Sequence, residues 1–184
     1  MKGLVRRECF GYWLNEKGLF GDGAEIGSAQ GIFARNILSQ WRGKRLFMVD
    51  PWEKQNIETY REETNLRANF HDWHQQCLEL EQSDHRALCM KMLSIAASRT
   101  ISDNTLDFAY IDGNHAYGHV LEDMDLWWPK VKIGGIMGGH DFYNNTENGA
   151  WVEVEKAVLR WTKEHELAFT VTPCTSWWIE KIHP

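Results

Sequence analysis

The chain has 184 residues, 43% of them hydrophobic and 25% charged, with a formal charge of −6. That length suits one domain with a full α/β core, and the composition is that of a globular protein rather than a disordered or fibrous one. An acidic balance without a block of Lys or Arg argues against nucleic acid as main partner, and no apolar run is long enough to span a membrane.

The opening residues, MKGLVRRECF, lack the apolar core of a signal peptide. Cys9, Cys77, Cys89 and Cys174 form neither a CxxC pair nor a zinc spacing and read as reduced thiols. A cytoplasmic protein is therefore expected. Ten tryptophans are many. Taken singly each reads as core filling, but their recurrence beside glycines and acids also suits a pocket wall.

In chain order, residues 4–19 mix apolar and charged positions and predict a helix or two short turns lying over the sheet. Ala24–Gly27 predicts a first strand, preceded by Gly21 and Gly23. A helix follows, with Phe33, Ile37 and Trp41 at helical spacing and Gly43 as its stop. Arg45–Asp50 reads as a buried strand that ends on an acid and is closed by Pro51. Residues 56–85 are polar with loose apolar recurrence and predict helix. Ala87–Leu93 reads as strand three, Ile95–Thr100 as a brief helix and Ser102-Asp103-Asn104 as a turn.

Leu106–Asp112 predicts strand four, again ending on an acid. The next helix carries Val120, Leu121, Met124, Trp127 and Trp128 and stops near Pro129. Gly134–Asp141 reads as a glycine-rich strand five ending on His140-Asp141. A last helix has Trp151, Val154, Val158 and Trp161 on one stripe, and Leu167–Thr172 with Ser176–Ile182 forms a closing hairpin. This alternation predicts an α/β fold: a doubly wound, mostly parallel seven-stranded sheet with an antiparallel edge hairpin and helices on both faces, in one domain over residues 1–184.

In such a sheet, ligands sit outside the carboxyl ends of the strands. Asp50, Asp112 and Asp141 stand at three of those ends, with Glu25 inside the first strand. One such acid is ordinarily a cap or turn residue; three in one sheet, with a glycine turn and two histidines, point to a site. A nicotinamide fingerprint, G-x-G-x-x-G, is absent, because position 26 is Ile and the turn reads Glu25-x-Gly27-x-x-x-Gly31. A phosphate-binding Gly-Lys-Ser/Thr is absent too.

The Glu25–Gly31 turn followed by Val49-Asp50-Pro51-Trp52 resembles the class I S-adenosylmethionine-dependent methyltransferases. Leu106–Tyr117 (LDFAYIDGNHAY), Trp127-Trp128-Pro129-Lys130, Gly134-Gly135 and Gly139-His140-Asp141-Phe142 extend the resemblance. Together they are similar to a small-molecule family that includes macrolide-sugar O-methyltransferases and cephalosporin-hydroxylase-like proteins, over residues 20–182. The resemblance implies S-adenosyl-L-methionine as cofactor. Its methionine end would lie on Glu25, Gly27, Ser28 and Gly31, its ribose hydroxyls on Asp50, and Pro51 and Trp52 would pack near the ribose or adenine. Ser94 matches the position beside the adenine, with Ile95 as apolar wall; a helix N-cap is an equal reading of Ser94.

The resemblance further implies that Asp112 and Asp141 hold a divalent cation such as Mg²⁺ against two neighbouring hydroxyls of the acceptor. His140 stands where metal-using relatives carry another carboxylate, so a softer ion, or none, is the alternative. Asp112 also borders the cofactor. His115, at D-x-x-H, is the implied general base, with His140 as alternative base and helix capping as the bland role of His115. Tyr117 and Tyr143 are candidates for an acceptor pocket.

The expected activity is O-methylation of a small hydroxylated acceptor, a sugar or natural product. The rivals are a metal-independent N- or C-methyltransferase and a non-catalytic cofactor-binding homologue. So short a chain leaves residues 1–19, the Asn144–Gly149 loop or a partner copy in a homodimer to close the site.

Overall fold

In the computed structural model, the structure describes residues 6–55, 69–145 and 152–183. A 3₁₀ turn, Arg7–Cys9, leads into α1, Phe10–Glu16, and then β1, Asp22–Ile26. Next come α2 (Ile32–Gln40), β2 (Arg45–Asp50), α3 (Phe70–Ser83), β3 (Ala87–Lys91) and α4 (Ser94–Ser98). β4 (Leu106–Ile111), α5 (Tyr117–Trp127) and β5 (Val131–Gly139) follow. The rest is a two-residue pair, β6 (Asn144–Asn145) and β7 (Val152–Glu153), then α6 (Val154–Glu164), β8 (Thr170–Val171) and β9 (Trp177–Glu180).

The main sheet has seven strands in the order β3-β2-β1-β4-β5-β9-β8. β1 to β5 run parallel, and β9 and β8 are antiparallel at one edge. The order reverses between β1 and β4, which opens the crevice beside their carboxyl ends. The expected layers are present.

Strand alternation sorts the core into two clusters. One face places Leu46, Met48, Phe108, Tyr110 and Ile136 against α1, α2 and α3. The other places Ile26, Val49, Ala109, Ile111, Met137 and Ile179 against α4, α5 and α6. Phe10 of α1 is wedged among Phe33, Phe108 and Tyr110, with ring centroids 5.1–5.9 Å apart. That wedge seats the N-terminal segment on the sheet. In α6, Val154, Ala157, Val158 and Trp161 form the buried stripe, and the Trp161 indole donates to Asp125 of α5 at 2.7 Å. Trp151 and residues 56–68 of the expected helices lie outside the described residues.

Element boundaries differ from the sequence reading for physical reasons. β1 begins at Asp22 and includes Gly23, which pairs with Leu46 and Phe108 and has no room for a Cβ against the Phe108 ring. β5 starts three residues early, at Val131 rather than Gly134, across a register shift between Leu106 and Phe108 on β4. The closing strands are short: two and four residues instead of six and seven.

The most constrained backbone position is Gly27, just past β1. It has φ +90°, and a Cβ there would overlap the Asp112 carbonyl oxygen. Gly18 has φ +74° with open space around it. Gly18→Ala is therefore expected to lower the unfolding free energy by about 1 kcal/mol, the conformational cost alone. Gly27→Ala should cost about 3 kcal/mol or more, because the turn after β1 and the segment at Asp112 must also move apart. Urea unfolding of both variants measures the difference; equal losses would contradict this account.

Candidate active site

β1 hands over to α2 through a turn held by backbone bonds. The Gly27 and Ser28 N–H groups donate to the Val49 carbonyl at 2.8 and 3.3 Å, and the Gly31 N–H to the Ser28 carbonyl at 2.7 Å. Asp50, at the end of β2, ties this turn to its own. One carboxylate oxygen accepts from Ala29 N–H at 2.9 Å and the other from Trp52 N–H at 2.7 Å. Burial pushes the Asp50 carboxyl up despite these two bonds. Each oxygen keeps a second lone pair, so two further hydroxyl donors suit it. Ala29 and Trp52 take left-handed backbone, φ 46° and 43°, conformations that non-glycine residues hold at a cost and that cluster at binding turns.

A cavity of about 420 Å³ opens over this turn. Glu25, Gly27, Ser28, Asp50, Pro51, Ser94, Ile95 and Asp112 all line it, as do His115 and Asn114. Gly31 and Trp52 are not among the lining residues. A Cβ at Gly31 would meet the Cys77 sulfur at 2.9 Å, so that glycine serves packing against α3. Trp52 is buried behind the turn, its indole N–H donating to the Ala29 carbonyl at 2.7 Å and its ring 4.8 Å from that of His74. It braces the turn.

The lining fits a nucleoside whose flat base packs on apolar side chains. Asp50 offers acceptors for paired hydroxyls, Leu93 and Ile95 offer apolar wall, and Glu25 carries a buried oxygen, Oε2, without a hydrogen-bond partner. Ser94 is the first residue of α4, after Leu93 at the N-cap, so its hydroxyl does not cap the helix. That hydroxyl donates instead to Asp123 and accepts from the Trp127 indole at 2.8 Å. Burial, opposed by the Ser94 bond, pushes the Asp123 carboxyl up to about 7.

A second group lies at the ends of β4 and β5. His115 Nε2 is 3.4 Å from Asp112 Oδ1 and 3.3 Å from Asp141 Oδ2. One ligand atom from each of the three lies within 4.8 Å of the others, a spacing able to seat a cation. His140 is not in this group. Its Nδ1 lies 2.9 Å from Asp141 Oδ1, and its Nε2 faces the Thr175 hydroxyl at 3.5 Å. Asp141 has φ 54°, which turns its carboxylate back toward His115. Burial works against charge on Asp112, yet the His115 hydrogen bond and the Arg7 charge hold its carboxyl below the usual range.

Arg7, from the 3₁₀ turn before α1, pairs with Asp112 and lines the cavity. Sequence reading had residues 1–19 as a cover but not Arg7 as a site residue, nor Asp123, nor Trp73, which also lines the cavity. Trp73 matches the general expectation that some tryptophans face a pocket. Arg7 and Asp123 carried no local signal. Neither Tyr117 nor Tyr143 lines the cavity; Tyr117 opens α5, with its N–H on Glu153 at 3.3 Å.

The model of a family described as a methyltransferase domain matches residues 24–142, most of the chain. No curated protein matches it in sequence. Solved structures share the fold at low identity. A Clostridium thermocellum protein assigned as an rRNA methylase has TM-score 0.66 and 13% identity, over 100% of this chain and 99% of its own. A Staphylococcus aureus protein assigned as a caffeoyl-CoA O-methyltransferase has TM-score 0.65 and 13% identity, over 97% and 84%. A Klebsiella pneumoniae protein assigned as an O-methyltransferase has TM-score 0.62 and 10% identity, over 94% and 77%. A glycine turn latched by the acid of the second strand, on a sheet of this order and under this family's model, leaves one conclusion. The chain belongs to the methyltransferase domain family, as a class I S-adenosylmethionine-dependent methyltransferase.

Proposed function

We propose that this enzyme methylates an oxygen of a small hydroxylated acceptor, a sugar or natural product, with His115 as general base. The observation that carries the reading is the meeting of His115 Nε2 with the Asp112 and Asp141 carboxylates, beside the cavity that holds Asp50. The two carboxylates that face His115 Nε2 orient the imidazole, and His115 would take the hydroxyl proton as the oxygen attacks. When bound, the cofactor supplies an electrophilic methyl group on a sulfonium. Asp50 would hold the ribose and fix the cofactor along the turn, and the acceptor would lie toward Asp112 and Asp141. Much of the rate gain is then positioning.

A divalent cation on Asp112 and Asp141 is part of this proposal, since hard carboxylate oxygens suit Mg²⁺ and a neighbouring histidine admits Mn²⁺ or Zn²⁺. It would hold the acceptor oxygens and lower the pKa of the one that reacts. One observation favours a second, metal-free reading in which the acceptor atom is nitrogen or carbon: Asp112 already pairs with the Arg7 guanidinium.

Three outcomes are expected. In calorimetry, S-adenosylhomocysteine binds the wild type, and Asp50→Ala weakens it by about tenfold or more as the ribose acceptors are lost; no binding to the folded wild type would refute the cofactor role. With an acceptor in hand, His115→Ala should lower kcat by about 10²-fold or more with KM little changed. EDTA should abolish turnover and Mn²⁺ or Mg²⁺ restore it, whereas turnover that survives EDTA and Asp141→Asn would select the metal-free reading.

A fourth outcome concerns pH. Burial, outweighing the Ser28 hydrogen bond and the Arg7 charge, pushes the Glu25 carboxyl from 4.5 up to about 8. Between those values the folded chain holds a proton that the unfolded chain has released, so the Glu25 contribution to stability falls as pH rises. Urea unfolding at pH 5 and pH 8 should show the wild type losing stability relative to Glu25→Gln. A constant gap would show Glu25 ionised throughout.

A further inference from the structure

His140, directly after β5, is gripped from several sides. Its backbone N–H donates to the Ile111 carbonyl at the end of β4 at 3.3 Å, and its own carbonyl accepts from the Trp177 indole on β9 at 3.2 Å. Its ring Nε2 meets the Thr175 hydroxyl at 3.5 Å, in the turn between β8 and β9. That turn is also tied to the chain just past His140, because the Phe142 N–H donates to the Thr175 carbonyl at 2.9 Å. His140 is not among the residues lining the cavity. A histidine held at backbone and ring, and set off the cavity, is placed to support a neighbour rather than to meet a ligand.

The neighbour is Asp141. His140 Nδ1 lies 2.9 Å from Asp141 Oδ1, and the second oxygen, Oδ2, lies 3.3 Å from His115 Nε2. His115 in turn faces Asp112 Oδ1 at 3.4 Å. Thr175, His140, Asp141, His115 and Asp112 therefore form one line of polar contacts, running from the edge hairpin to the loop after β4. A carboxylate oxygen accepts and does not donate, so Nδ1 is the His140 nitrogen that carries the proton, and Nε2 is left for the Thr175 hydroxyl. Asp141 and Thr175 both take left-handed backbone, φ 54° and 59°, which is costly above all for the β-branched Thr175. Such strain persists where the surroundings over-determine it, and it clusters at functional sites. Here the two strained residues flank one imidazole.

We propose that His140 and Thr175 are positioning residues that aim Asp141 at His115. The Thr175 hydroxyl fixes the His140 ring, and His140 Nδ1 fixes the Asp141 carboxylate. The antiparallel hairpin at the sheet edge then supports the reacting end of the site, and His140 acts as neither base nor metal ligand. The effect on catalysis rests on His115 as general base; the aiming of Asp141 rests on the contacts alone.

Proton–nitrogen correlation spectra of the histidine rings, taken on the full chain at one pH without ligand, read the aiming directly. Wild-type His140 should carry a proton on Nδ1, an observation that needs no variant to fold. His140→Asn keeps an N–H where Nδ1 stood, His140→Gln moves it to the place of Nε2, and His140→Ala has none. The His115 signals should hold their wild-type positions in His140→Asn and Thr175→Ser, and shift in His140→Gln, His140→Ala and Thr175→Val. With an acceptor in hand, His140→Gln and His140→Ala should lower kcat by about tenfold or more with KM little changed, and His140→Asn should recover most of that loss. The positioning role is overturned if Nδ1 of wild-type His140 carries no proton, or if the His115 signals respond alike to His140→Asn and His140→Gln. It is overturned too if His140→Asn loses as much turnover as His140→Ala, which would make His140 itself the base. Full turnover in His115→Ala would instead remove the base reading, and the spectra would still decide whether His140 aims Asp141.

Discussion

The Gly27 α-carbon lies against the Asp112 carbonyl, with no room for a side chain between them, and the Asp112 N–H donates back to the Ile26 carbonyl at 2.8 Å. This contact sets the distance between the turn after β1 and the loop after β4. On the other side of the same turn, Asp50 joins it to the end of β2 through two backbone N–H groups. Three strand ends are thus fixed relative to one another by backbone contacts and by the Asp50 carboxylate.

Much of this was legible in the sequence, because the signals were local. Acids closing apolar runs marked the carboxyl ends of β2 and β4, and Pro129 marked the end of α5. What escaped depends on residues far apart in the chain. Glycine is a poor strand former, and Gly23 is a strand residue through its pairing with Leu46 and Phe108, the Phe108 ring filling the space of the missing side chain. Gly31 reads as a ligand-facing glycine until Cys77, from a helix well downstream, is seen against it. Arg7 reads as a surface charge, since its partner Asp112 lies 105 residues away.

The histidines teach the same lesson at shorter range. His140 and Asp141 are neighbours in sequence, so both belonged to one expected ligand group. In the fold, the left-handed turn at Asp141 sends its carboxylate to His115, while the far side of the His140 ring meets Thr175. Sequence adjacency at a strand end does not make a shared direction. The histidine that joins the two acids is the one three residues beyond Asp112, where a turn brings the side chain back over the carboxylate it follows.

The 3₁₀ turn Arg7–Cys9 contributes no buried residue, whereas Phe10, directly after it, is among the most buried side chains of the molecule. The core therefore ends sharply at Phe10. Lifting residues 6–9 exposes little apolar surface and breaks few bonds, the Arg7–Asp112 pair chief among them. Local opening of this kind has a free energy well below that of global unfolding, and amide exchange reads it directly. The peptide that supplies a charge to the cavity is thus held by polar contacts rather than by the core.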